Sequence, residues 1–272
     1  MEEYPVPPST DPRTKKIPRQ QLLAEHATLA FLCISIYNKL FNRLLHVEHS
    51  ICDGYYCSDC DGQKITEEMV LKIDMEMHKM LNSDLEFSHV RIPRDELESF
   101  FLEHGFRDKL GLIKTFPEDK ITCIKFGDYI DYIIEPMSTD KDRLRIFDIH
   151  NYSDGIVLRF PTLLNPTSIP EWKEQDAIFN MFHENKKWAK LIGCDTVSEL
   201  NESIYNRKVD NIKWLAEGLH EQKLAQIAKY LVDNFQAKRI VTIAGPSSSN
   251  KTTFAMRLAI QLRIAGHDSA VI

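Results

Sequence analysis

Residues 239–272, RIVTIAGPSSSNKTTFAMRLAIQLRIAGHDSAVI, constrain this chain more than any other stretch. A β-type run, Ile240-Val241-Thr242-Ile243-Ala244, leads into Gly245-Pro246-Ser247-Ser248-Ser249-Asn250-Lys251-Thr252-Thr253. An amphipathic helix pattern follows, with Phe254, Leu258 and Leu262 at four-residue spacing. Gly266 stands where a helix stop is expected, and Ser269-Ala270-Val271-Ile272 opens a second strand-type run. Strand, loop, helix, strand in this order is the first unit of a phosphate-loop nucleotide-binding fold.

The chemistry of such a loop is specific. Backbone N–H groups of residues 247–252, at the positive end of a helix, form a cradle for phosphate oxygens. Lys251 reaches the terminal phosphates as a point charge, and the Thr252 hydroxyl is placed to hold Mg²⁺. Gly245, Ser247, Ser248, Ser249, Asn250, Lys251, Thr252 and Thr253 are therefore the expected ATP-binding residues, with Lys251 as the catalytic one. One position departs from G-x-x-x-x-G-K-[ST]: Asn250 stands where the second Gly is expected. Asn is the non-Gly residue that best tolerates a left-handed backbone, so the loop can still close.

Charge limits the partners. The net charge is −6 over 272 residues, which argues against strong sequence-independent nucleic-acid binding. An apolar fraction of 43% with 27% charged residues excludes a disordered chain. The longest apolar run, residues 27–37, is too short to span a bilayer. The N-terminal MEEYPVPPSTDPRTKK lacks the apolar core of a secretory signal, and six Cys read as reduced thiols, so the cytosol is expected.

Along the chain, residues 1–18 carry five prolines and read as a flexible arm. Leu22, Leu23, His26, Leu29, Ala30, Cys33 and Tyr37 recur at helical spacing, predicting a long helix over 19–45. A β segment is expected at 45–57 with a turn at Asp53-Gly54. Thr66 is read as the cap of a second helix, and a strand near 85–92 leads to Pro93 at the start of a third. The runs 121–126, 128–134, 144–149 and 155–160 read as one β-meander. Residues 161–171 form a Pro-rich linker; the chain is then helical over 172–192, from the capping box Thr196-Val197-Ser198-Glu199, and over 211–235. The expected fold class is α+β. Its divisions are an arm (1–18), an α+β domain (19–160), a linker and helical connector (161–236) and the start of a phosphate-loop domain (237–272).

The loop GPSSSNKTTFAMRLAIQLRIAG is similar to the opening of uridine and nucleoside kinases of the phosphoribulokinase/uridine kinase group. DGYYCSD (53–59), ITEEMVLKIDMEMHKM (65–80), VRIPRDELESFF (90–101) and DYIDYIIEPM (128–137) resemble the second additional domain of threonyl-tRNA synthetases. Together the two likenesses imply a nucleoside-kinase family in which a synthetase-like domain precedes a uridine-kinase-like domain. The implied activity is γ-phosphate transfer from Mg-ATP to a nucleoside hydroxyl. Acceptor-side acids of that family follow the second strand, so the sequence to Ile272 is expected to lack transferase activity by itself, either as a fragment of a longer kinase or because the kinase half has been lost.

The synthetase likeness also implies a reaction, the hydrolysis of mischarged tRNA at a site of H-x-x-x-H plus C-x-x-x-H. Here those positions hold His26, Ala30, Ile133 and Met137, so three of the four groups are absent. An editing hydrolase is thereby disfavoured. The alternative to a kinase is a non-catalytic RNA- or protein-binding module carrying a remnant loop.

Three further groups have plainer readings. Cys57 and Cys60 have C-x-x-C spacing, with His46 and His49 upstream, but odd spacing in a strand sends the two imidazoles to opposite faces, and no zinc site is expected. Asp128, Asp131 and Glu135 read as a solvated sheet edge rather than a Mg²⁺ site. Trp172, Phe179, Phe182 and Trp188 suit core packing, and Lys186 and Lys187 face solvent.

Overall fold

The computed structural model describes residues 18–83, 87–132 and 136–272. The arm at 1–17, the expected strand start at Leu85, and Ile133, Ile134 and Glu135 lie outside the described residues. The fold is α+β, in two compact units that divide between His183 and Glu184.

Helix α1 (Arg19–Phe41) is the centre of the first unit. Leu29, Leu32, Cys33, Ile36 and Tyr37 pack toward one core, while Phe31 packs into a second. A helix buried on both sides has to be apolar nearly all round, which is why its 27–37 stretch is so rich in apolar residues. It stops at Asn42, in the left-handed region at φ 51°, whose N–H returns to Asn38 O at 2.8 Å.

Strands β1 (Leu45–Ile51) and β2 (Gly54–Asp59) form a hairpin. Its two turn residues are Cys52 and Asp53, at φ 51° and 58°, the signs of a type I′ turn. The turn thus lies one residue earlier than expected. Gly54 serves a different purpose: a Cβ there would lie 2.3 Å from Leu158 O on the neighbouring strand. After the hairpin, Asp59 accepts hydrogen bonds from Tyr37 Oη at 2.7 Å and from the N–H groups of Asp61 and Gln63, fixing the loop that leads to Thr66. Thr66 caps α2 (Glu67–Asn82), accepting from Met69 N at 3.3 Å.

Strand β3 (Ser88–Pro93) runs straight into α3 (Arg94–Glu103), followed by α4 (Arg107–Ile113). Then come β4 (Lys120–Phe126), β5 (Tyr129–Tyr132), the short α5 (Lys141–Leu144), β6 (Asp148–Tyr152) and β7 (Gly155–Arg159). The expected single meander is two hairpins in different antiparallel sheets, ordered β1-β2-β7-β6 and β3-β4-β5. Between the hairpins the Asp140 side chain accepts from Arg143 N and starts α5, which places Leu144 in the core, and the strand expected from 144 begins at Asp148. The first core lies between α1, α2 and the four-stranded sheet, the second between α1, α3, α4 and the three-stranded sheet.

Helix α6 begins at Asp176, not near 172 (Asp176–Ile192), and the unit division falls within it. The second unit continues with α7 (Val197–Tyr205), entered through the capping box of Thr196 and Glu199, then α8 (Val209–Asp233) and α9 (Lys251–Ile264). Residues 240–244 and 269–272, expected as strands, have no ladder partner, and among the described residues no strand follows β7. A β-type sequence needs a neighbouring strand to satisfy its backbone, and neither run has one. Gly266, at φ 86°, ends α9 as expected. Among the described residues no helix is long and apolar enough to cross a membrane.

Candidate phosphate-loop site

The loop at 245–253 leads into α9 with one feature that its sequence anticipates. Asn250 lies at φ 57°, ψ 25°, the left-handed conformation that a Gly would supply, and it serves as the N-cap position of α9. Phe254 N donates to Asn250 O at 2.9 Å, closing the first helical turn. A Cβ on Gly245 would sit 2.7 Å from Ser249 Oγ, a hydroxyl that would have to turn away. Lys251 Nζ donates to Pro246 O at 2.6 Å, across the loop's mouth.

These residues border a pocket of about 660 Å³. Gly245, Ser249, Asn250, Lys251 and Thr253 line it, joined by Glu217 and His220 from α8 and Arg257 from α9. Ser247, Ser248 and Thr252 are exposed and do not line it. The pocket's α8 wall was not foreseen in the sequence, although Glu217, His220, Glu221 and Leu224 do fall at helical spacing. That wall is fastened to α9. Arg257 Nη2 lies 3.0 Å from Glu217 Oε2, Arg257 Nε lies 2.7 Å from Glu221 Oε1, and Gln261 Nε2 donates to Glu221 Oε2 at 2.9 Å. The Arg257 hydrogen bond holds the Glu221 carboxyl below the usual carboxylate range. Leu224, Ala228 and Leu258 form the small apolar core behind it.

Electrostatics separate the two units. Residues 184–272 carry 13 Lys and Arg against nine Asp and Glu, whereas residues 1–183 carry 21 against 31. The second unit thus has the charge balance more favourable to an anionic ligand.

In the first unit, the residues at the synthetase-type ligand positions perform other tasks. His26 Nε2 lies 2.8 Å from Pro161 O, and its ring stacks on Phe160 at 3.7 Å and 22°. Since a carbonyl only accepts, Nε2 carries the proton. Burial pulls the imidazole's pKa down. Ala30 is buried, and Met137 touches the Thr28 hydroxyl at 3.8 Å, which itself accepts from Ser138 N at 2.8 Å. Beside His26, the buried Glu25 holds Arg143 through two bonds of 3.0 and 2.8 Å, and Arg143 Nη1 donates to Pro166 O at 2.7 Å.

The C-x-x-C candidate separates likewise. Cys57 is fully in the core, where burial raises its thiol well above the ordinary value, and Cys60 is pushed up to about 12 by burial and nearby carboxylates. His46 and His49 do not face opposite ways. A register shift between Val47 and His49 pairs them with Ser58 and Tyr56, which share one face. His46 Nε2 then meets Asp108 Oδ2 at 3.1 Å, while the His49 ring lies 3.9 Å from Phe182. Among the described residues no three His, Cys, Asp or Glu side chains converge as metal ligands.

Asp131 is not at a solvated edge. It pairs with Lys109 Nζ at 2.5 Å beneath Tyr129, while Asp128 is exposed. Lys109 comes from α4, which the sequence reading passed over, although Phe106, Leu110 and Ile113 do fall at helical spacing. Phe179 is core, as expected, but Trp172 lies ahead of α6, stacked on His150 at 4.5 Å and over Arg159. Lys187 is exposed and Lys186 half-buried.

No family model matches the chain. Curated relatives do match part of it. The threonine–tRNA ligase of Thermotoga petrophila is 32% identical over 136 residues, 50% of this chain and 19% of that protein. That of Desulforamulus reducens is 29% identical over 121 residues, 44% of this chain and 19% of that protein. That of Lactobacillus acidophilus is 26% identical over 126 residues, 45% of this chain and 19% of that protein. The chain thus spans about a fifth of the length of these relatives. Nothing in these matches speaks for a kinase family. The chain contains a region homologous, at low identity and over about 45% of its length, to threonine–tRNA ligases.

Proposed function

We propose that residues 19–160, within the first unit, carry an RNA-recognition module of synthetase type that lacks the hydrolytic step. The similarity to threonine–tRNA ligases carries this reading, and it supports such a module more directly than it supports phosphoryl transfer. Loss of hydrolysis follows from the residues at the ligand positions: His26 holds the linker's Pro161, and Ala30 and Met137 offer no nitrogen or thiolate for a metal. The test is deacylation of seryl-tRNA by the purified protein. Its rate is expected to equal that of buffer, with or without chelator; chelator-sensitive hydrolysis would overturn the reading.

A second reading is favoured by one observation, the left-handed Asn250 beside Lys251 on a pocket of nucleotide size. On this reading the chain is the N-terminal part of an ATP-dependent nucleoside kinase working in the cytosol. The loop's N–H groups take phosphate oxygens, and Lys251 leaves Pro246 O to neutralise the terminal phosphate. The Thr252 hydroxyl, exposed and outside the pocket lining, would hold the Mg²⁺ that with ATP would supply the activated phosphoryl group. Lys251→Ala is expected to weaken ATP binding about tenfold or more in equilibrium dialysis. Unchanged affinity would remove the loop as the site.

A further inference from the structure

An aromatic ring left in water forgoes the gain of burial, and a cation beside it meets the negative face of the ring. The second unit groups such pairs where α8 and α9 end. Tyr230, on the last turn of α8, is 53% exposed, and Phe235, just beyond it, is 43% exposed. Ala237 N and Lys238 N both donate to Asn234 O at 3.0 Å, a turn that brings Lys238 back to Tyr230. The Lys238 ammonium lies 4.0 Å from the centroid of the Tyr230 ring and donates to its hydroxyl. The Arg239 guanidinium lies 5.6 Å from the Phe235 ring, and the His267 ring, past the end of α9, lies 5.1 Å from it.

Charge selects the partner. Residues 234–267 hold five Lys and Arg and no Asp or Glu. Arg257 is tied to Glu221, and Arg263 stands 3.7 Å from Asp268. Lys238 and Arg239 instead donate to neutral groups, the Tyr230 hydroxyl and Gln236 Oε1, the latter at 2.9 Å. Lys229 and Asp233, both exposed near the end of α8, cancel in charge. The cluster therefore offers two cations that no carboxylate neutralises among the described residues, set beside two exposed rings. A plain polyanion would use the charges and ignore the rings, and an apolar partner would do the reverse. A single-stranded nucleic acid uses both, since each nucleotide brings a phosphate and a flat base. A duplex keeps its bases stacked on one another and offers the rings no face.

We propose that Tyr230, Phe235, Lys238 and Arg239 form a binding surface for single-stranded nucleic acid, the rings stacking bases and the cations holding phosphates. The surface lies outside residues 19–160 and does not depend on the module proposed there. Recognition is sequence-tolerant, because every base has a π-face. With two such cations on an acidic chain the affinity is modest, with Kd on the order of 10–100 μM at low salt.

The test is fluorescence anisotropy of a labelled octauridylate titrated with the whole chain. Tyr230→Leu and Phe235→Leu keep apolar bulk but remove the π-face, and each is expected to weaken binding about fivefold or more. Tyr230→Trp and Phe235→Trp are expected to stay within about twofold of wild type. Lys238→Gln combined with Arg239→Gln is expected to reduce the slope of log K against log salt by about 1.4, at roughly 0.7 per phosphate contact in a single strand. A polyphosphate of equal charge is expected to bind about fivefold or more weakly than the octamer. Equal binding of that polyphosphate, wild-type affinity in both Leu variants or an unchanged salt slope would show a plain cationic surface for acidic partners and overturn the proposal. Absence of octamer binding by wild type overturns it too, whatever the first unit does with tRNA. Should the variants lose their helical circular dichroism, the ring proton resonances of Tyr230 and Phe235 in wild type decide. They are expected to move upfield on saturation with the octamer, and unmoved signals overturn the proposal.

Discussion

Lys109→Ala is expected to destabilise the first unit by roughly 3–5 kcal/mol, the cost of leaving one member of a buried ion pair alone. The Lys109 and Asp131 side chains are 10% and 14% exposed, with Nζ 2.5 Å from Oδ2 and 3.0 Å from Tyr129 Oη. Burial alone would lower the ammonium's pKa; Asp131 and Tyr129 outweigh it and hold Lys109 above the ordinary lysine value. Removing the lysine strands a carboxylate between α4 and β5, where water reaches it poorly. The double variant Lys109→Met with Asp131→Asn removes both charges and is expected to recover most of the loss. Urea unfolding of the three proteins checks this. A Lys109→Ala protein within about 1 kcal/mol of wild type would show the pair to be solvated after all.

The second large effect concerns where the first unit ends. Three of its side chains hold carbonyls of the Pro-rich segment: His26 on Pro161, Arg143 on Pro166 and Arg159 on Pro170. Trp172 then lies over Arg159, and Phe179 packs with Ile51, Tyr56 and Val157. Arg159, only 3% exposed, also donates to Cys52 O at 3.1 Å. We propose that the segment belongs to the first unit as a fixed strap. A protein of residues 1–183 is expected to give dispersed amide NMR signals and cooperative melting. One ending at 160 removes the carbonyl acceptors of the half-buried Arg143 and the buried Arg159, together with the aromatic packing of Trp172 and Phe179. It is expected to be largely unfolded at 25 °C, since total stabilities are only about 5–15 kcal/mol. Equal melting of the two proteins would show the strap to be a mere tether.

Much of this was legible because local rules decide it. Thr66 and the Thr196–Glu199 box start their helices as their sequences require, and Asn250 takes the left-handed backbone that its place in the loop demands. What the sequence hid was non-local. Nothing within residues 121–160 says that β4–β5 and β6–β7 join different sheets, because pairing is settled by partners many residues away. A single inserted residue in β1 brings His46 and His49 to one face, and no periodicity count anticipates a bulge. The α8 wall of the pocket is in the same class: Glu217 and His220 acquire their setting only when α8 meets α9. Residues 240–244 show the converse, a strong strand pattern left unpaired.

On the proposed reading, the synthetase-like region recognises RNA without hydrolysing it from an amino acid. The measurement that tests it most directly is the retention of a deacylated tRNA in a mobility-shift titration at low and at physiological salt. With 31 Asp and Glu against 21 Lys and Arg in residues 1–183, few phosphates are neutralised, so a shift with a shallow salt dependence is predicted. No shift at either salt concentration would contradict the claim.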